Sequence, residues 1–265
     1  MKITVLNDNR CSNQQLECEH GLSLLIDDNG KKILFDTGQT DIYLKNANKL
    51  GVDLDAVESI VLSHGDYDHG NGLKYFTKKV NLICHPDFVK NRISKRAGKF
   101  DGLNQTKEDL SAKFNLILTD EPYEVTDNII FLGQIDRITD FEKGNNLPMI
   151  DGNGDTYKHL DDSGIVIKTS QGIIVISGCA HSGICNTVEY AKKVSQYDKV
   201  LAVMGGFHLK NVDSQTQATV RYMRDNHIKH VLVAHCVSDA VCDWFKKELP
   251  DLTIVVETGA TYNFD

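Results

Sequence analysis

The chain has no apolar run long enough to span a bilayer, and it shows no internal repeat and no low-complexity tract. Residues 1–7 resemble a first strand and lack the apolar core and the cleavage site of a signal peptide. Lysine and arginine number 29 against 37 aspartate and glutamate, and no basic stripe is visible. These absences argue against a membrane protein, a secreted protein and a nucleic-acid-binding protein.

Signals for paired cysteines are also missing. The seven cysteines are odd in number, and none forms a Cys-x-x-Cys pair. A disulfide framework or a zinc ribbon is therefore not expected, and we predict a reducing, cytoplasmic setting. With 41% hydrophobic and 25% charged residues, 265 residues are enough to bury a core. We predict a single domain over residues 1–265 with a small-molecule substrate, and leave a homodimer open.

Apolar spacing and turn residues place most of the secondary structure. Strands are predicted early in the chain, and a β-hairpin at residues 164–169 and 172–177 opens a regular second half of alternating helices and strands. Residues 91–160 differ, being polar and rich in glycine and asparagine. We predict there a cap or lid insertion, including a loop at residues 140–160 over the site. For residues 91–120, a plain surface loop is the alternative. Two sheets packed face to face with helices outside account for this order.

The densest group of polar residues is His64-Gly-Asp66-Tyr-Asp68-His69. It follows an apolar strand, so it lies on a loop held by rigid elements, where catalytic groups are common. Two imidazoles and two carboxylates this close are unfavourable unless a cation joins them. His64 and Asp66 point the same way in an extended segment, whereas the adjacent Asp68 and His69 diverge. One loop can thus organise two metal ions about 3.5–4 Å apart.

Six stretches of the chain carry a family resemblance. They are Ile33-Leu-Phe-Asp-Thr-Gly38, residues 62–73 around the polar group, residues 133–142, Ile176-Ser-Gly-Cys-Ala-His-Ser-Gly-Ile184, Met204-Gly-Gly-Phe-His-Leu209 and Val233-Ala-His-Cys236. Together they resemble the metallo-β-lactamase superfamily, whose signature is His-x-[His/Asp/Glu]-x-Asp-His. The resemblance is greater to its dihydropterin-synthase-like branch. It implies a four-layer αββα sandwich of two mixed sheets and a site for two divalent metal ions.

The resemblance also implies roles for individual residues. The implied metal ligands are His64, Asp66, Asp68, His69, Cys179, His181 and His235. Asp36 would orient the metal loop without touching a metal, and a helix N-cap is the alternative role. The family more often has histidine in place of Asp66 and aspartate in place of Cys179. The extra carboxylate favours iron or manganese over zinc alone.

A second departure concerns the usual third-motif histidine, expected just before residue 164. Asp161 and Asp162 stand there, with His159 upstream. His181, His159 or Asp161 could fill this place, although an exposed loop histidine is the expectation for His159. His208 is predicted to be an acid–base or substrate-contacting group, with a core histidine as the alternative. The remaining histidines, expected to be structural or solvent-facing, are His20, His85, His227 and His230.

Two charged residues lie in the branch-specific stretch, Arg137 and Glu142. We predict that both bind substrate. The guanidinium group of Arg137 can hold a phosphate or carboxylate in two hydrogen bonds. A surface ion pair is the alternative for Arg137.

The predicted function is that of a metal-dependent hydrolase-like enzyme acting on a small phosphorylated or pterin-like molecule. Asp68 would orient or deprotonate a water, and His208 would protonate the leaving group. In the archaeal branch member the resemblance implies displacement of pyrophosphate from an activated pterin. Two alternatives remain: an iron-dependent redox enzyme acting on oxygen, nitric oxide or persulfides, and a metal-binding sensor without activity.

Overall fold

The computed structural model describes residues 1–95, 98–142 and 149–264. Six α-helices lie within this part of the chain, together with a 3₁₀ turn at Asn71–Tyr75. The helices are Ile42–Lys49 (α1), Tyr67–Gly70 (α2), Lys107–Lys113 (α3), Ile184–Ser195 (α4), Ser214–Asp225 (α5) and Asp239–Glu248 (α6). None of these helices is long and apolar enough to cross a membrane.

Seventeen strands lie in the same described ranges. They are Lys2–Asn7 (β1), Ser23–Asp28 (β2), Lys31–Phe35 (β3), Val57–Val61 (β4), Asn81–Cys84 (β5), Ile93–Ser94 (β6), Lys99–Phe100 (β7), Asn115–Leu118 (β8), Tyr123–Glu124 (β9), Ile129–Phe131 (β10), Met149–Ile150 (β11), Gly164–Thr169 (β12), Gly172–Ser177 (β13), Val200–Gly206 (β14), His230–Ala234 (β15), Thr253–Val255 (β16) and Thr261–Asn263 (β17).

Two seven-stranded mixed sheets form the centre of the fold. The first has the order β17-β1-β2-β3-β4-β5-β8, and the second has the order β16-β15-β14-β13-β12-β10-β9. Each sheet combines antiparallel hairpins with a block of four parallel strands, β3-β4-β5-β8 in one and β13-β14-β15-β16 in the other. This shared pattern is a structural likeness between the halves that the sequence does not show.

The apolar core lies in three layers. Side chains such as Phe35, Ile176 and Leu232 fill the space between the two sheets. Helices α4, α5 and α6 pack on the outside of the second sheet, and α1 packs on the outside of the first. Strand β13 is buried along its whole length, which explains its uninterrupted apolar sequence. The predicted αββα sandwich is confirmed.

Local sequence signals explain where several elements begin. Asp213 and Ser238 cap α5 and α6 by accepting hydrogen bonds from the amides of Thr216 and Val241. Helix α2 starts at Tyr67, inside the polar group itself. The amides of His69 and Gly70 donate to the Asp66 carbonyl, so Asp68 and His69 lie on a hydrogen-bonded turn.

The segment 91–160 is only partly separate from the sandwich. Strand β8 pairs in parallel with β5 in the first sheet, and β10 pairs with β12 in the second. A three-stranded sheet of β11, β6 and β7 lies apart from both and is the part that resembles the predicted cap. Of the loop predicted at residues 140–160, residues 143–148 fall outside the described residues.

Candidate metal centre

The site lies where strands of both sheets end. Asp36 follows β3, His64 follows β4 by three residues, Cys179 follows β13 and His235 follows β15. The carboxyl ends of parallel strands meet at one edge of a sheet, which is where ligands bind in α/β proteins. The backbone of Asp36 and His235 has φ of 56° and 47°. Positive φ is uncommon outside glycine and concentrates at functional sites.

The first group of side chains, here called the first cluster, consists of His64, Asp66, His159 and His181. Asp66 Oδ2 lies 3.3 Å from His64 Nε2 and 3.5 Å from His181 Nε2. Asp66 Oδ1 lies 3.9 Å from His159 Nε2, and the rings of His159 and His181 are stacked at 4.0 Å. All three imidazoles are buried.

The second cluster consists of Asp68, His69 and His235. His69 Nε2 lies 3.1 Å from His235 Nε2, and Asp68 Oδ2 lies 3.3 Å from His235 Nε2. His20 is at the open side, with its Nε2 at 3.1 Å from the same Asp68 oxygen. The loop therefore places His64 and Asp66 in the first cluster and Asp68 and His69 in the second.

Cys179 lies between the two clusters. Its Sγ is 3.3 Å from His69 Nε2, and it falls within ligand spacing of His64 and His181 on one side and of His235 on the other. Burial raises the pKa of the Cys179 thiol well above its usual value. A bound cation would reverse this, since a coordinating thiol is held as the thiolate.

The donor set fits divalent cations. In a tetrahedral zinc site, ligand atoms about 2.0–2.1 Å from the ion lie about 3.3 Å apart, close to the spacings found here. The Nε2 atoms of His64, His159 and His181 are buried without a hydrogen-bond partner. Buried polar atoms rarely lack a partner, so three such nitrogens close together indicate a site for a metal ion.

Hydrogen bonds behind the clusters set the tautomers of the ligand histidines. Asp36 Oδ2 accepts from His69 Nδ1 at 2.7 Å and from Ser63 Oγ at 2.7 Å. Ser63 Oγ, having donated its proton, accepts from His64 Nδ1 at 2.9 Å. Both imidazoles therefore keep a lone pair on Nε2 for the cluster. Asp36 does not cap α1, whose N-cap is Asp41.

Close packing restricts the neighbour of Cys179. A Cβ on Gly178 would lie 2.1 Å from Ser63 Oγ and 3.1 Å from His64 Nδ1. Only glycine lets the two loops approach this closely. Ser63 can therefore connect Asp36 with His64.

The first cluster has a charged support that the sequence analysis missed. Arg92 is fully buried; its Nη1 donates to Asp66 Oδ1 at 2.8 Å and its Nη2 to Asp161 Oδ2 at 2.9 Å. Asp161 also accepts from the Gly65 amide and from Tyr157 Oη, and the Tyr157 ring lies 4.6 Å from the guanidinium carbon. A buried arginine is not visible in sequence, because it has the same local pattern as a surface one.

The charges in the clusters stabilise one another. Burial alone raises the pKa of Asp66, but His64, His181 and Arg92 outweigh it and hold that pKa well below the usual value. For Asp68 the same burial is outweighed by His69, His20 and His235. Both carboxylates are thus ionised and available as ligands.

Both clusters open into a cavity of about 610 Å³, a volume suited to a small molecule. Its walls include His208, Ser94 of β6 and Met149 of β11, so the small sheet covers part of it. Among the described residues, Lys210 is the one lysine or arginine in this lining.

The expectations for two residues near the third-motif position need correction. His159 is buried in the first cluster rather than exposed on a loop. Asp161, a candidate for the same place, is held by Arg92 and Tyr157 instead. His20, expected to be structural or solvent-facing, is half-exposed and lies beside Asp68 at the edge of the site. The signal for His159 was its position just before β12, where the family motif expects a ligand.

The predicted roles of His208 as a general acid and of Arg137 and Glu142 as substrate-binding residues do not agree with their surroundings. Burial, with His181 and Lys210 nearby, lowers the pKa of His208 to about 2, which opposes a general acid near neutrality. Arg137 donates to the carbonyls of residues 158 and 159. Glu142 is buried and accepts from the first amides of α4, as a helix cap. Neither Arg137 nor Glu142 is among the described residues that line the cavity.

Comparison with known proteins agrees with this geometry. The sequence model of the metallo-beta-lactamase superfamily matches residues 16–192. An uncharacterised protein of Methanocaldococcus jannaschii is 36% identical over 241 residues, covering 88% of this chain and 90% of that protein. The 7,8-dihydropterin-6-methyl-4-(beta-D-ribofuranosyl)-aminobenzene-5'-phosphate synthase of the same organism is 30% identical over 270 residues, covering 94% and 91%.

Solved structures show the same likeness. A crystal structure of a metal-dependent hydrolase of the β-lactamase superfamily superposes with a TM-score of 0.87 and 29% identity, over 100% of this chain and 99% of that one. Zinc-bound PqqB from Methylobacterium extorquens shares the fold, with a TM-score of 0.60 and 12% identity over the full length of both chains. With the family model, the relatives and the fold in agreement, this chain belongs to the metallo-β-lactamase superfamily.

Proposed function

We propose that the protein is an enzyme with two divalent metal ions that acts on a small phosphorylated or pterin-like molecule. The observation that carries this proposal is the group of buried, unpartnered imidazole nitrogens beside two carboxylates and a thiol. Asp66, Asp68, Cys179 and His181 of this group line one cavity. A pure structural role would leave those nitrogens hydrogen-bonded.

In this proposal each cluster holds one ion. The first would be bound by His64, Asp66, His159 and His181, and the second by Asp68, His69 and His235. Cys179, placed between them, would contact both. Divalent ions in such a pair lower the pKa of a bound water toward neutrality and neutralise charge on a leaving oxygen.

The chain's own residues supply orientation and proton transfer. Asp68 is ionised and faces the cavity, so it can orient a water or accept its proton. Lys210 lies on the wall with its Nζ at 2.9 Å from the carbonyl oxygen of Cys236, where it can contact an anionic group. His208, neutral in this setting, would contact substrate rather than donate a proton.

The substrate class rests on two observations. One is the cation Lys210, which lines the same cavity as Asp66, Asp68 and His181 and suits a phosphate bound beside metal ions. The other is the 30% identical synthase relative, whose name describes a pterin joined to a ribosyl phosphate. Loss of a charged oxygen leaving group is common to hydrolysis and to pyrophosphate displacement, so one site can serve either reaction.

A second candidate is iron-dependent redox chemistry. It is kept open by the two departures from the family pattern, Asp66 and Cys179. The carboxylate of Asp66 makes the first cluster a harder ligand set, which favours iron over zinc alone. Iron found after anaerobic purification, with an optical band that changes on exposure to oxygen, would support this candidate.

The test of the main proposal combines metal analysis with a panel of phosphate esters, diphosphates and pterin diphosphates. We expect about two metal ions per chain and turnover of a phosphorylated member of the panel. Asp68→Ala should reduce turnover by about 10²–10⁴-fold, whereas the exposed His227→Ala should have no effect. Protein without bound metal, or full activity in Asp68→Ala, would contradict the proposal.

A further inference from the structure

The amide of Asn9 lies between two histidine rings at the second cluster. Asn9 Oδ1 is 2.8 Å from His235 Nδ1, and Asn9 Nδ2 is 2.9 Å from His20 Nδ1. The Nε2 atoms of both rings approach the same oxygen, Asp68 Oδ2, at 3.3 and 3.1 Å. By distance alone, either ring could be a metal ligand.

Two backbone groups establish which way the Asn9 amide points. The Gly21 N–H, which can only donate, bonds Asn9 Oδ1 at 2.9 Å. The His235 carbonyl, which can only accept, receives a hydrogen bond from Asn9 Nδ2 at 3.2 Å. Exchanging the oxygen and nitrogen of the amide would break both bonds, so the orientation does not depend on the histidines.

Opposite tautomers follow for the two rings. His235 Nδ1 must carry a proton to donate to Asn9 Oδ1, which leaves a lone pair on Nε2. His20 Nδ1 must be unprotonated to accept from Asn9 Nδ2, which places the proton of a neutral ring on Nε2. That N–H then points at Asp68 Oδ2.

We propose that His20 is a positioning residue that donates a hydrogen bond to Asp68 and is not a metal ligand, and that Asn9 makes this distinction. The inference rests on the proposed function, since it takes Asp68 and His235 as ligands of the second ion. The consequence is chemical. With Cys179, the second ion already has four protein ligands in the proposed function. A further imidazole would occupy a position that a catalytic site keeps for water or substrate. Donation from His20 instead holds the carboxylate in place, as partners behind metal ligands do.

The tautomer can be measured directly by NMR on zinc-loaded protein with ¹⁵N-labelled histidine. Because Asp68 raises the pKa of His20, spectra should be taken at about pH 8.5, two units above the ordinary imidazole pKa. We expect the His20 proton on Nε2 and an unprotonated Nδ1, with the His235 proton on Nδ1. A His20 ring with its proton on Nδ1 and a metal-shifted Nε2, or with protons on both nitrogens, would overturn the inference.

Variants separate this inference from the proposed function. His20→Gln can place an amide N–H near the position of Nε2, whereas His20→Ala cannot. Both should keep the metal content of the wild type, because His20 is half-exposed and holds no ion. Activity should fall about 10–100-fold in His20→Ala, with no change in KM, and recover at least partly in His20→Gln.

His235→Gln is the matched control and should lose about one metal ion per chain. If His20→Ala loses an ion and His235→Gln does too, His20 is a ligand and the inference is wrong while the proposed function stands. If His235→Gln retains both ions, the proposed ligand set itself is wrong.

Asn9→Asp provides an independent test. The carboxylate would still accept from Gly21 and His235, but it would also accept from His20 Nδ1 rather than donate to it. His20 Nδ1 should therefore be protonated, and the hydrogen bond to the His235 carbonyl should be lost. We expect the NMR signal of His20 Nδ1 to change from that of an unprotonated to that of a protonated nitrogen, with lower turnover. An unchanged His20 tautomer in this variant would contradict the role of Asn9.

Discussion

The two clusters are built on different supports. The first is backed by buried charges, with Arg92 joining Asp66 to Asp161. The second is backed by the neutral amide of Asn9 on the His235 ring and by two carboxylates, Asp36 on the His69 ring and Asp8 on the His235 amide. A buried ion pair restrains the ligand side chains through strong, directional bonds, but the fold loses much stability when either partner is removed. A neutral amide selects tautomers instead, with little electrostatic cost.

The clusters also draw on different parts of the chain. His159 of the first cluster and its neighbour Arg92 belong to the segment that carries the small sheet. The second cluster uses strand ends of the sandwich and the loop after β1. The first cluster is thus coupled to the segment covering the cavity, and the second to the core of the fold. The predictions below test whether this difference has measurable consequences.

The largest effect should come from removing a ligand from each cluster. His159→Ala and His69→Ala should each lose about one metal ion per chain, from different sites, with activity near background in both. Metal analysis and competitive chelation on the two variants would check this. If either variant weakened metal binding equally at both clusters, the clusters would not be separate sites.

Removing all metal should lower stability as well. Without cations, three imidazole nitrogens of the first cluster have no partner, and metal binding to the native state alone adds to stability. The thermal midpoint should rise on titration with zinc or manganese. A midpoint independent of metal concentration would contradict the ligand assignment.

Arg92→Met should destabilise the fold by about 3–5 kcal/mol, because it leaves the Asp66 and Asp161 carboxylates buried without their cation. Urea unfolding in the presence of chelator would measure this without a contribution from metal. Arg224→Met is the matched control, since its ion pair with Glu248 is partly exposed. It should change stability by about 0–1 kcal/mol.

Asp66→His would replace the carboxylate with the residue more common in the family. The variant should prefer zinc over manganese or iron more strongly than the wild type, because a harder oxygen ligand is exchanged for nitrogen. It should also lose about 1–3 kcal/mol of stability, since Arg92 would no longer have this carboxylate as a partner. Competition between metals during loading, followed by urea unfolding, would measure both effects. An unchanged metal preference would indicate that Asp66 is not a ligand.

The smallest effect should come from Lys210→Ala. It should raise KM for a phosphorylated substrate by about tenfold, without changing metal content. A tenfold change corresponds to the smallest free energy usually lost with a hydrogen bond to a charged group. Lys229→Ala, on an exposed turn outside the cavity lining, is the control. An equal KM in the two variants would remove Lys210 from substrate binding.

Much of the fold could be predicted because regular elements leave local patterns. Apolar spacing and turn residues predicted the hairpin at its observed bounds, Gly164–Thr169 and Gly172–Ser177. Strand β8 was missed because it follows a polar segment and is only partly buried, so its alternation is weak. Strand β17 pairs with β1 from the other end of the chain, a contact that no local pattern reveals.

The sequence by itself determined the polar group at residues 64–69 and the strand ends that carry Cys179 and His235, because these signals are short and contiguous. Only the tertiary structure decided which histidines face the clusters. His159 and His20 were brought in from loops, and Arg92 was buried against two carboxylates. The tautomers of His20 and His235 were also decided there, because they depend on an amide whose orientation is established by backbone groups distant in sequence.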